Sequence, residues 1–85
     1  MVTIFRFKND VNLTEIRGCL ILAVTACEAI YGESAVRLEA KHSFDPQQRC
    51  ALIQSDSECG RGLVRVFHDY CLREFGEQVI RIEQN

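Results

Sequence analysis

The chain has 85 residues, 47% apolar and 26% charged, with a formal net charge of −2; this fits one domain over residues 1–85 with a modest core and excludes a disordered tract or a strongly basic nucleic-acid binder. The first residues lack the basic start, long apolar run and cleavage site of a secretory leader, and no apolar run is long enough to span a bilayer, so a cytoplasmic protein without a membrane partner is expected. Cys19, Cys27, Cys50, Cys59 and Cys71 are an odd set with no C-x-x-C pair, which suits reduced, buried thiols better than disulfides or zinc, and no metal or cofactor is expected.

Residues 2–8 are rich in β-branched and aromatic side chains and end at Asn9-Asp10, which predicts a first strand. Asn12 with Glu15 three residues on makes a variant of the capping box, and the apolar pattern then runs through Ile30 and Tyr31 to a stop at Gly32, predicting a first helix. Val36, Leu38, Ala40, His42 and Phe44 alternate with Arg37, Glu39, Lys41 and Ser43, the period of a strand with one buried and one wet face. Asp45-Pro46-Gln47-Gln48 predicts a turn, so residues 49–55 return as a third strand and close a hairpin. Ser55 with Glu58, or Ser57 alone, caps a second helix that ends at Phe75 and Gly76, and residues 78–83 form a fourth strand. The order β-α-β-β-α-β predicts an α+β, ferredoxin-like fold: a four-stranded antiparallel sheet with two helices on one face. That arrangement hosts many unrelated functions, so function has to come from particular residues.

The first helix has two apolar sides. At about 100° per residue, Ile16, Cys19, Leu20, Ala23, Ala26, Cys27 and Ile30 cluster as a core face. Opposite them stand Gly18, Ile21, Leu22, Thr25 and Ala29, where a solvated helix would carry charge, with Arg17 and Glu28 alongside. On the second helix Leu63, Val66, Phe67 and Tyr70 form a core stripe, and Val64, His68, Cys71, Leu72 and Phe75 extend its apolar arc. An exposed apolar stripe of this kind points to association with a second copy, and Gly18, Ile21, Leu22, Thr25 and Ala29 are the candidate oligomer interface.

One stretch carries a chemical pattern. In "DSECGRGLVR", Cys59, Gly62 and Arg65 have the spacing C-x-x-G-x-x-R, which resembles the signature loop of cysteine-dependent phosphatases. The resemblance implies that backbone amides and a helix N-terminus hold a phosphate and lower the thiol pKa of Cys59, while Arg65 pairs with two phosphate oxygens. Cys59, Gly60, Gly62 and Arg65 are therefore the candidate anion-binding residues. The pattern is broken where Glu58 stands in place of the usual histidine, a like charge that raises the thiol pKa, and where Val66 replaces a hydroxyl residue after the arginine. The competing expectation is that Glu58 and Cys59 begin the helix, Cys59 turns into the core, and no residue is catalytic.

His42, expected on the apolar side of the second strand near Cys50, and the His68-x-x-Cys71 pair each offer two ligands and not the four of a closed zinc site. The wet sheet face is expected to carry Arg6, Lys8, Arg37, Lys41 and Arg81 with Glu39 and Glu83. The third strand, "RCALIQS", has no aromatic for a base to stack on, so RNA binding ranks last. The expectation is a small non-catalytic module that binds itself as a homodimer or higher oligomer, with a small molecule or protein as further partner. An anion-binding protein or phosphate-ester hydrolase using Cys59 is the alternative.

Overall fold

Alternation along residues 2–7 puts Thr3, Phe5 and Phe7 on one side and Ile4 and Arg6 on the other, and the computed structural model, which describes all 85 residues, sets that first side under the helices. The elements are β1 (Val2–Phe7), α1 (Leu13–Tyr31), α2 (Glu33–Glu39), β2 (His42–Asp45), β3 (Cys50–Gln54), α3 (Glu58–Phe75), a 3₁₀ turn (Glu77–Val79) and β4 (Ile80–Gln84). They make one antiparallel sheet in the order β2-β3-β1-β4. It follows that β1 is parallel to β2 with β3 between them, and β3 is parallel to β4 with β1 between them. The protein is thus an α+β chain with three helices, not the two expected from sequence.

The ends of the long helices follow local chemistry. Asn12 accepts from the amides of Thr14 and Glu15 at 2.8 and 3.2 Å, and Ser57, not Ser55, caps α3 by accepting from the Gly60 amide at 2.9 Å. Both helices stop at glycines with positive φ, Gly32 at 94° and Gly76 at 80°, each sending its amide back to the carbonyl four residues earlier. The hairpin turn is held by Asp45, whose Oδ1 accepts from the amides of Gln47 and Gln48 at 3.0 and 3.2 Å. It closes through Arg49 at φ 52°, a left-handed conformation uncommon for a side chain of this size. The Arg49 guanidinium donates to the carbonyls of Lys8 and Val11, tying the hairpin to the loop before α1.

The core joins Phe5, Phe7, Ala51 and Ile53 of the sheet to Ile16, Cys19, Leu20, Ala23 and Cys27 of α1, Val36 and Ala40 at α2, and Cys59, Leu63, Phe67 and Cys71 of α3. At its centre the Phe5 and Phe67 rings meet edge to face with centroids 4.9 Å apart. All five cysteines are buried, free thiols.

Several expectations are corrected. The strand predicted from residue 36 is a helix as far as Glu39, and only His42–Asp45 is strand. Val36 and Ala40 are four apart, which suits either period; Leu38 decides, because a strand buries it beside them and a helix turns it away, and it is 74% exposed. Glu33 and Arg37 pair at 2.9 Å across one helical turn. In consequence Arg37 and Glu39 lie on α2 and not on the open sheet face, where Glu83 bonds both Arg6 and Arg81 at 3.1 Å. Ile30 falls on the core side of the α1 wheel yet is 70% exposed, because Gly32 redirects the chain by 117° into α2 and Val36 and Ala40 make the core contacts instead. His42 is exposed on the side of β2 opposite Cys50's neighbour Asp45, so His42 and Cys50 do not meet. No single helix is long and apolar enough to cross a membrane; α1 and α2 reach that length and composition only as the bent pair.

Candidate functional site

The residues of C-x-x-G-x-x-R are inside α3 from its first turn. The Gly60 amide is taken by the Ser57 hydroxyl and the Arg61 amide by the Ser57 carbonyl at 2.9 Å, so these donors serve the helix. Neither Gly60 nor Gly62 has a positive φ, and both have steric reasons to be glycine. A Cβ on Gly60 would stand 2.2 Å from the Gln54 carbonyl oxygen, where α3 crosses the end of β3, and a Cβ on Gly62 would stand 2.5 Å from the Tyr31 hydroxyl, where α3 meets α1. The Cys59 side chain is buried in the core, and its thiol is pushed above the ordinary range first by desolvation and then by the Glu39 carboxylate. A thiol shifted in that direction is a poor nucleophile at neutral pH. Arg65 alone of the four candidates reaches the surface.

The other four thiols are raised as well, each chiefly by burial. Cys71 is shifted most, with the neighbouring Cys19 adding to the effect. His68 sets its ring 5.9 Å from that of Phe5 while Cys71 is fully buried, and no three His, Cys, Asp or Glu side chains converge as a metal site.

The second candidate set stays together. Gly18, Ile21, Leu22, Thr25 and Ala29 share the outer face of α1; Ile21 is 59% and Leu22 61% exposed. The Thr25 hydroxyl donates to the Ile21 carbonyl at 2.9 Å, so it is satisfied within the helix. Gly18 differs from the α3 glycines, since a Cβ there would meet nothing within 4 Å. Beside it a groove of about 440 Å³ opens between α1 and α3, lined by Glu15, Gly18, Cys19, Leu22, Tyr70, Arg73 and Glu74. Sequence reasoning missed the α3 side of this groove, and the available signal was the spacing of Tyr70 with Arg73 and Glu74, three and four residues on. Arg17 and Glu28 flank the stripe toward its two ends without an ion pair in the chain, the Arg17 guanidinium lying 5.4 Å from the Phe44 ring centroid.

The chain matches no protein-family model, no curated protein and no solved structure.

Proposed function

We propose that the protein is a cytoplasmic, non-catalytic interaction module of ferredoxin-like type that pairs with a second copy through the outer face of α1. The two interleaved crossovers on one sheet support the ferredoxin-like reading, with α2 as an addition to the first crossover. One observation carries the functional reading: Ile21 and Leu22 are about three-fifths exposed beside a mid-helix glycine that nothing in its own chain requires. Glycine inside a helix costs about 1 kcal/mol relative to alanine, so a position that tolerates it without internal crowding is explained by close approach from outside.

The partner is a second copy because the stripe is self-complementary in charge. A two-fold axis midway between Arg17 and Glu28, near Leu22 and Ala23, sets the Arg17 of each protomer against the partner's Glu28 and stacks the two apolar stripes. Complete burial of an Ile or Leu side chain contributes about 1.5–3 kcal/mol, offset by the cost of association. A helix of this length is about 28 Å long and about 10 Å wide, well short of the roughly 800 Å² per partner of a standard interface, so a weak, reversible association is expected.

Sedimentation equilibrium at micromolar concentration tests this. Wild type is expected to dimerise and Ile21→Glu to remain monomeric with its core intact. Arg17→Glu is expected to weaken the dimer and Arg17→Glu with Glu28→Arg to recover it. A wild-type monomer, or an Ile21→Glu protein that pairs as tightly, overturns the proposal.

A further inference from the structure

We infer that the hollow where the N-terminal half of α3 passes the ends of β1, β3 and β4 binds a phosphate-type oxyanion. The hollow has a volume of about 350 Å³ and is lined by Arg61, Arg65 and His68 of α3 together with Thr3, Ser55 and Gln84, with Met1 and Val64 completing it. Residues 61, 65 and 68 are spaced by four and three, so one face of the helix presents two guanidinium groups and an imidazole to the same space.

The charge there is uncompensated. No carboxylate lines the hollow. One Arg61 nitrogen donates to the Asp56 carbonyl at 2.9 Å, which fixes the side chain without neutralising it. Arg65 makes no hydrogen bond and no ion pair in the chain, not even with Asp69 one turn on, and the Asp56 carboxylate is engaged by the Met1 ammonium.

An independent observation comes from Thr3 and Ser55, 0% and 4% exposed. Their hydroxyl oxygens are 2.8 Å apart. Two hydroxyls carry two hydrogens and their mutual bond uses one, so the second is a donor with no acceptor in the chain, in a wall of the hollow. Both hydroxyls are satisfied by their mutual bond, and the remaining hydrogen is free to be donated to a bound acceptor. A phosphate group meets the whole arrangement: a guanidinium takes two of its oxygens in parallel bonds and the remaining oxygens face the hydroxyl and the second arginine. The site differs from a thiolate phosphate loop in kind, since it uses side chains on the flank of α3 in place of amides at its start, and only Arg65 belongs to both.

The test is titration of the ¹⁵N-labelled full chain with inorganic phosphate at constant ionic strength, followed by NMR. Saturable shifts are expected at Thr3, Ser55, Arg61, Arg65 and His68, with Kd raised at least tenfold by Arg65→Ala and unchanged by Arg73→Ala, which removes a cation from the far end of the same helix. Shifts that grow linearly to tens of millimolar phosphate, equal affinity in Arg65→Ala, or equal loss in Arg73→Ala overturn the inference. Glycerol phosphate and vesicles of phosphatidic acid in phosphatidylcholine separate the sources: displacement of phosphate by the first alone assigns a soluble ester, and Arg65-dependent co-sedimentation with the second assigns a lipid headgroup.

Discussion

The helices α1 and α3 are nearly equal in length and lie against one another on the same sheet, yet they place their glycines in opposite surroundings. In α3, Gly60 and Gly62 sit where backbone and tyrosine come within a few ångströms of a missing Cβ; in α1, Gly18 faces open space. The same residue type therefore has an internal cause in one helix and none in the other. An internal cause is a packing fact, complete within the chain. The lack of one directs attention outward, and the neighbours of Gly18 are the most exposed large apolar side chains of the α1 outer face.

The largest test of that contrast is Gly60→Ala. Its Cβ would collide with backbone, which has no side-chain rotamer to yield, so α3 must shift at its start; the expected loss is about 1–3 kcal/mol, in the range for overpacked core positions. Urea unfolding measures it, and a loss below about 1 kcal/mol means that α3 does not cross β3 as described. Gly62→Ala is expected to cost less, because the Tyr31 ring it meets can turn aside.

An intermediate effect concerns what the helices share, since each places two cysteines in the core: Cys19 and Cys27 on α1, Cys59 and Cys71 on α3. Burial raises each thiol above its ordinary value, so above about pH 8.5 the unfolded chain loses protons that the folded chain keeps. Stability is then flat below that pH and falls above it, by up to about 1.4 kcal/mol per pH unit for each thiol ionised only on unfolding. The urea midpoint is expected to drop between pH 8 and 10, and to drop less steeply in Cys71→Ala. A midpoint constant over that interval shows that the thiols are not desolvated.

The smallest effect is Gly18→Ala. With no neighbour to displace, the alanine is expected to stabilise the isolated chain by up to about 1 kcal/mol through helix propensity. The same methyl thickens the α1 face and is expected to weaken self-association in sedimentation. Stability and association moving in opposite directions sharpen the contrast with Gly60→Ala, and a gain in both breaks it.

Much of this architecture was legible wherever a residue has one local job. Asn12 and Gly32 announced the two ends of α1 and Gly76 the end of α3, whose start was open between Ser55 and Ser57, and alternation marked β1. The third helix was hidden because Val36 and Ala40 satisfy a strand and a helix equally, while the distinguishing Leu38 is apolar and exposed. Glu33 with Arg37 was the signal on the other side, outweighed by the alternation of four apolar residues and His42 with polar ones. At the candidate sites, the α1 stripe could be read because helical spacing alone assembles it. The hollow at Arg65 could not, since Thr3 and Ser55 meet only through the pairing of β1 with β3, and nothing local in either segment foretells that.

The position of β1 in the sheet governs more than shape. Both of its partners, β3 and β4, come from the far side of the hairpin turn, and neither residues 1–45 nor residues 49–85 contain two strands that bond to each other. A chain nicked at Gln47-Gln48 would leave two pieces, each with a long helix and two strands but no ladder of its own. Each half is the template on which the other becomes a sheet, so the two pieces are obligate complements, and in the intact chain no strand ladder other than the β2–β3 hairpin can form before the halves have come together.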